Sequence, residues 1–359
     1  MKTLYDALRE IKESYYHINI NIESLFGSER ANENCHAFIR DHFRRGKKNG
    51  IFHIPNKFSN EYHKHEKQQH TVSLYLLGLL LEDSFHERFE NELNKHFDIS
   101  GWYDYKYTWY LACLYHDMLN FIEYSDCFDD ELLRVSSSEL FNRKYTFLRF
   151  DKNIYINYLK YRKDCGSSEH GIMAGVDLFK RLDHSFSRAT ARYDWKASPI
   201  YTKDNINWRR EHVPHFAYVC DAICCHNIWL ANEKDKDACE NYSKHQLESL
   251  IVHSDSDKLQ LKKYPLQFLL CLLDTIEPLK KFGELESIEV FKNIYIDINP
   301  SSITLGWTDV IKQQPSFFKW MESISSLKNW MGINVGTCYS KDGNCFIKLS
   351  FVEEVLENV

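Results

Sequence analysis

Six ionisable residues stand inside apolar stretches, where ionisable side chains are costly. His70 opens HTVSLYLLGLLL, His116 and Asp117 sit in LACLYHDMLNFI, His170 in SSEHGIMAGVDLF, His226 in YVCDAICCHNIWL and Asp274 in FLLCLLDTIEPL. A carboxylate amid that much Leu and Cys must be paired, protonated or bound to a metal, because an isolated buried charge is strongly unfavourable. Any one of these histidines alone reads as a core side chain bonded to a carbonyl. All six together call for a common cause, and metal chemistry supplies one: neutral imidazoles with carboxylates suit Zn, Fe, Mn, Co or Ni. Adjacent His and Asp on a helix point about 100° apart, so His116 and Asp117 can lean onto ions beside one face, and a bridging carboxylate fits Asp117.

The elements that must position these residues are helices. From residue 1 to 283 apolar residues recur at three- and four-residue steps, which predicts helices over Leu4–Ile20, Ala31–Arg44, Lys67–Leu81, Phe85–Phe97, Tyr103–Ile122, Glu169–Leu182, Val213–Trp229, Ser243–His253 and Pro265–Lys281. Two less periodic stretches, 123–168 and 183–212, interrupt them. After Gly283 the texture changes. Ile288–Ile298 and Ser302–Trp307 read as strands joined at Asn299-Pro300-Ser301, Pro315–Met331 as a helix, and Ile333–Tyr339 and Asn344–Phe351 as a hairpin around Lys341-Asp342-Gly343. The expected fold is therefore mainly α: a helical domain over 1–283 and a small α+β unit, ββαββ, over 284–359.

Composition narrows the function. The 359 residues carry 45 Lys and Arg against 51 Asp and Glu, a formal charge of −6, so no global cationic field would hold bulk nucleic acid. The apolar run Leu74–Leu81 is far too short to span a bilayer, and MKTLYDALREIKESYY has charges where a secretory signal needs an apolar core. Neither membrane insertion nor secretion is expected. Eleven Cys without a CxxC pair suggest reduced thiols and a cytoplasmic protein. Cys220, Cys224 and Cys225 near His226 imitate a zinc cluster, but no second Cys pair with finger-like spacing accompanies them.

The ordered pattern His70, His116-Asp117, His170, His226, Asp274, with the phrases LYHDM, SSEHGIMAG, ICCHN and LLDTIEP, resembles the HD-domain superfamily of metal-dependent phosphohydrolases over about 60–282. The resemblance implies an HD-type helical bundle. It implies that His70, His116, Asp117 and Asp274 hold a first metal, that Asp117 bridges to a second, and that His170 and His226 are the extra histidines of the two-metal branch. His116 to His170 and His170 to His226 are separated by 54 and 56 residues, longer than in compact members. The implied cofactor is a divalent transition metal, two per chain, drawn from Fe, Mn, Ni, Co or Zn. Asp117, His170 and His226 would stand at the catalytic step, in which metal-activated water cleaves a phosphomonoester or phosphodiester of a nucleotide or cyclic nucleotide. Two alternatives stay open: a di-iron oxygenase of the same superfamily, and a metal-retaining sensing module that acts through its tail, for instance as a homodimer.

An anionic substrate also needs cations. The interval His184–Glu211 holds Arg188, Arg192, Lys196, Lys203, Arg209 and Arg210 against Asp194, Asp204 and Glu211, a local excess of three positive charges. Arg188, Arg192, Arg209 and Arg210 are the candidate phosphate-binding residues, with Tyr193, Trp195, Tyr201 and Trp208 as surfaces for a base to stack on. Glu123, Asp126 and Glu169 are acids that could orient ligands or carry protons.

Overall fold

The computed structural model describes residues 1–45, 51–52, 67–96, 105–121, 128–143, 145–167, 169–190, 200–201, 207–208, 212–339 and 345–352. Among these the chain is mainly helical, with a small antiparallel sheet. The helices are α1 (Leu4–Glu10), α2 (Ile22–Phe26), α3 (Ala31–Arg45), α4 (Gln68–His96), α5 (Tyr105–Tyr115), α6 (Phe128–Ser136), α7 (Glu139–Asn142), α8 (Lys152–Asp164), α9 (His170–Thr190), α10 (His212–Cys225), α11 (Lys236–Lys244), α12 (Pro265–Ile276), α13 (Ser287–Asn293), α14 (Asp309–Lys312) and α15 (Phe317–Ser326). No described helix is long and apolar enough to cross a membrane.

Helices α4, α5, α9, α10 and α12 pack on one another to form the core, with α3 against α4. The innermost, α12, starts with Pro265 in its first turn and buries residues all round its circumference, so it reads as uninterrupted apolar sequence. Two glycines set the closest approaches. A Cβ at Gly78 of α4 would fall 2.0 Å from the Trp109 indole of α5. The indole instead occupies that space and donates to Tyr75 O (3.0 Å). A Cβ at Gly175 of α9 would fall 2.4 Å from Cys220 O and Cys224 Sγ of α10, so those two helices meet backbone to backbone.

The strands are β1 (Lys2–Thr3), β2 (Ile200–Tyr201), β3 (Asn207–Trp208), β4 (Ala231–Asn232), β5 (Ile251–Val252), β6 (Ile294–Asn299), β7 (Ser302–Trp307), β8 (Ile333–Tyr339) and β9 (Cys345–Phe351). The main sheet runs β1-β6-β7-β9-β8, antiparallel throughout, with Ile296 opposite Leu305, and Leu305 opposite Ile347. Buried Ile347, Leu349 and Phe351 alternate with outward residues along β9, and the Phe351 ring meets Phe85 and Phe268 edge-on, which seats the sheet against α4 and α12. The turn 341–343 lies outside the described residues.

Several elements differ from the sequence expectation. The helix expected over Leu4–Ile20 stops at Glu10. The chain then folds back, with Ser14 N donating to Ile18 O, Ile20 N to Lys12 O, and His17 in the left-handed region (φ 53°). Turning back carries Tyr15 and Tyr16 against Tyr110, and this aromatic packing outweighs helix propensity. Lys67–Leu81 and Phe85–Phe97 are one helix, α4, because nothing between them breaks it. The stretch 123–168, expected to be irregular, contains α6, α7 and α8. The last is capped by Asp151 and ends at Gly166, whose φ of +76° suits glycine. Ser243–His253 is not a helix: Gln246, at φ 57°, ends α11, and a 3₁₀ turn leads into β5. The first half of Ile288–Ile298 is helical (α13), with Val290 and Phe291 buried, before the chain extends into β6. Lys2–Thr3 of the opposite terminus joins the sheet as β1, a long-range pairing that leaves no local signal.

Candidate metal centre

Four helix ends and one helix interior converge on a single buried point. His70 lies in the first turn of α4, His116 and Asp117 in the turn that follows α5, His170 at the first position of α9, His226 directly after α10, and Asp274 inside α12. His116 and Asp117 are thus at a helix end and not in the middle of the helix expected over Tyr103–Ile122.

Each ring whose outer nitrogen is accounted for holds it on a fixed acceptor. Nδ1 of His116 donates to Cys113 O (2.6 Å), Nδ1 of His226 to Ile223 O (2.7 Å), and Nδ1 of His70 to the Glu277 carboxylate (2.7 Å). Such bonds select one tautomer and leave the Nε2 lone pairs facing inward. Nε2 of His70 lies 2.9 Å from Asp274 Oδ1 and 3.8 Å from Asp117 Oδ2. Nε2 of His116 lies 3.6 Å from Asp117 Oδ2 and 3.8 Å from Asp274 Oδ1. Ligand atoms about 2.1 Å from a shared ion are separated by about 3.0–3.4 Å; the His70–Asp274 pair is already that close and the other three separations are a few tenths of an ångström wider, so drawing the four atoms onto one ion takes only small side-chain shifts. On the other side, Asp117 Oδ1 is 2.8 Å from His170 Nε2, and the His226 ring centroid is 5.1 Å from that of His116 and 5.3 Å from that of His170. The side chains of His70, His116, Asp117 and His170 are each at most 6% exposed. Nε2 of His116 has no hydrogen-bond partner among the described residues, and Oδ2 of Asp117 has none either, its nearest cation being the Lys67 ammonium at 3.4 Å. Orphaned buried atoms of this kind, on a nitrogen–carboxylate donor set, fit a cation.

Among the described residues two overlapping groups could hold a metal ion: His70, His116 and Asp274, and His116, Asp117 and His226, the ligand atoms within each lying within 4.8 Å of one another. Electrostatics favour the ligand forms of His226, Asp117 and Asp274. Burial pushes the His226 pKa down to about 3, with the neighbouring His116 and His170 acting in the same direction, so the ring is neutral. Burial opposes ionisation of Asp117, but Lys67, His116 and His170 outweigh it and hold the carboxyl well below the usual range. Lys280, His116 and His70 do the same for Asp274. His70 is the exception: burial disfavours its charged form, yet Glu277 and Asp274 raise its pKa to about 9, so without an ion the ring carries a proton on Nε2 toward Asp274, and a metal would take that proton's place.

Supporting residues tie the ligands down. Glu169, fully buried, accepts from Gly171 N (2.7 Å) at the start of α9 and from Asn227 Nδ2 (2.8 Å), coupling the residue before His170 to the residue after His226. A Cβ at Gly171 would lie 2.8 Å from Glu169 Oε1 and from His226 Cε1, so only glycine lets the His226 ring rest on the start of α9. Glu277, also fully buried, accepts from Leu279 N and Lys280 N (both 3.0 Å) as well as from His70. The sequence reading passed over Glu277, Lys280, Lys67 and Asn227. Glu277 and Lys67 do lie within three residues of Asp274 and His70 in the sequence, but each stands just outside the helix, so only the tertiary structure shows what it touches.

The other candidates fall elsewhere. Arg188 lies late in α9, and its side chain is outside the described residues, as are Arg192, Arg209, Arg210, Glu123 and Asp126. Trp208 and Tyr201 lie on the short β3–β2 ladder. Cys220, Cys224 and Cys225 are buried thiols whose pKa burial drives far up. Cys224 donates to Ile172 O and Cys225 sits by Tyr155, and no described metal-binding group contains a cysteine.

Comparison with family models, curated proteins and solved structures found no match to this chain.

Proposed function

We infer that the chain is a metal-dependent phosphohydrolase of the HD type that cleaves a phosphomonoester or phosphodiester of a nucleotide or cyclic nucleotide. The observation that carries this reading is the division of the Asp117 carboxylate: Oδ2 faces His70 and His116, while Oδ1 faces His170. A carboxylate so placed serves two cation positions at once, as hydrolysis by paired ions requires. The order of the six residues along the chain, with His-Asp at a helix end, supports the same reading.

His70, His116, Asp117 and Asp274 would hold one divalent transition-metal ion, and Asp117, His170 and His226 a second. Such a pair lowers the pKa of a bound water and neutralises phosphoryl oxygens. The protein's own part is positioning. Cys113 O, Ile223 O and Glu277 keep protons on the outer imidazole nitrogens, Glu169 and Asn227 hold the two histidine-bearing ends together, and buried α5 and α12 exclude water behind the centre.

The test is the metal content of protein purified without chelators, followed by phosphate release from nucleotides and hydrolysis of cyclic dinucleotides with Mn, Ni or Co added. Metal-free protein that stays inert across the panel would refute the reading. Oxygen consumption by iron-loaded protein without phosphate release would assign the oxygenase chemistry instead.

A further inference from the structure

Two lysines stand between the buried centre and solvent. Lys67, just ahead of α4, places Nζ 3.4 Å from Asp117 Oδ2. Lys280, in the turn after α12, places Nζ 3.0 and 2.9 Å from the two oxygens of Asp274. Their side chains are 29% and 35% exposed, against 5% for His70, 0% for His116 and 4% for Asp117. They come from sequence-distant elements yet cap the two carboxylates that face the histidines. The backbone of Lys280 is fixed by the same Glu277 carboxylate that fixes His70, so ammonium and imidazole are registered to each other.

Counterions for Asp117 and Asp274 alone would explain a metal-free centre, but the local balance changes once ions enter. Asp117, Glu169, Asp274 and Glu277 contribute four negative charges, and Lys67 and Lys280 two positive ones. A first divalent ion brings the sum to zero and a second turns it positive. The carboxylates are then neutralised by the ions they ligate, and each ammonium, with three N–H donors, can turn toward an arriving anion.

We propose that Lys67 and Lys280 form an anion clamp at the mouth of the centre that takes the non-bridging oxygens of a phosphoryl group. The proposal rests on the metal-centre reading above and adds which residues recognise the substrate's charge. It assigns to Lys67 and Lys280 a task expected from the 184–211 interval.

The probe is inorganic phosphate titrated calorimetrically into Mn²⁺-loaded protein, with bound metal measured on the same samples, for the wild type, Lys67→Met, Lys280→Met and the double variant. Methionine keeps the stem and removes the charge. Each single variant is expected to keep its metal and to bind phosphate about tenfold more weakly or worse, the loss that goes with one charge-assisted hydrogen bond, and the double variant to lose measurable binding. Wild type that holds metal but binds no phosphate, or a metal-loaded double variant that binds phosphate like the wild type, would overturn the clamp and leave the metal centre standing. Wild type that holds no metal would overturn the centre itself, and the clamp with it.

Discussion

Replacing Asp117 by Asn removes one charge and changes the volume little, yet a carboxamide cannot serve both sides of the centre: one of Oδ2 (3.8 Å from His70 Nε2 and 3.6 Å from His116 Nε2) and Oδ1 (2.8 Å from His170 Nε2) becomes an NH2 group that cannot ligate, and the other an uncharged, weaker donor. Losing a mere supporting partner weakens metal binding about 10–100-fold, so losing this ligand should cost at least about 100-fold. At a Mn²⁺ concentration about 100 times the wild-type Kd, each ion stabilises the fold by about 2.7 kcal/mol. For 359 residues the unfolding entropy near Tm is about 0.75 kcal/mol/K, so each ion should raise Tm by about 3–4 °C and two by about 7 °C. In Asp117→Asn the same Mn²⁺ concentration only matches the weakened Kd, leaving about 0.4 kcal/mol and about 0.5 °C per ion, about 1 °C for both. Thermal unfolding with Mn²⁺ and with EDTA, alongside metal analysis, measures the difference. Asp177→Asn is the control: Asp177 is bound by Tyr115 and Arg181 and lies outside the six, so its variant should lose baseline stability but keep the Mn²⁺ increment. An Asp117→Asn protein with the wild-type increment and wild-type bound metal would refute the bridging role.

Three further outcomes follow from the packing. Gly171→Ala should displace His226 and lower the bound metal per chain, whereas metal content equal to wild type would show that His226 is not needed where it stands. Gly175→Ala should force α9 from α10 and destabilise by about 1–3 kcal/mol, read as a drop in Tm of about 1–4 °C in EDTA; no drop would contradict the close approach to Cys220 O. Asp221 is buried, and burial raises its pKa from 3.8 to about 6 although Tyr155 and Arg149 N donate to it. Its raised folded-state pKa means the associated stability is present below about pH 4 and is lost as pH rises through about 6, a change of roughly 3 kcal/mol. Denaturation of metal-free Asp221→Asn should lack that component; an identical pH dependence in variant and wild type would rule it out.

The mainly helical fold with its small sheet was legible in the sequence because helix and strand periods are local. α3, β7, β8 and β9 lie close to where apolar spacing put them, and α9 and α12 begin there, although α9 runs on to Thr190 and α12 stops at Ile276. Boundaries failed where a tertiary contact outweighed local preference. Tyr15 and Tyr16 turn the chain back after α1 to reach Tyr110, and the left-handed Gln246 ends α11 where apolar spacing alone would begin a helix.

For the centre, the sequence by itself determined which side chains needed an explanation: ionisable groups in apolar surroundings are visible as composition, because their burial without partners is so unfavourable. Distance, direction and tautomer could only come from tertiary structure. That Asp117 turns one oxygen to each side, that Glu277 rather than a carbonyl holds His70, and that Lys67 and Lys280 cap the two carboxylates depend on helix ends brought together across gaps such as the 207 residues between His70 and Glu277. No local propensity encodes such a meeting. It follows from how α4, α5, α9, α10 and α12 pack, at approaches set by Gly78 and Gly175, where the absence of a side chain is what allows the contact.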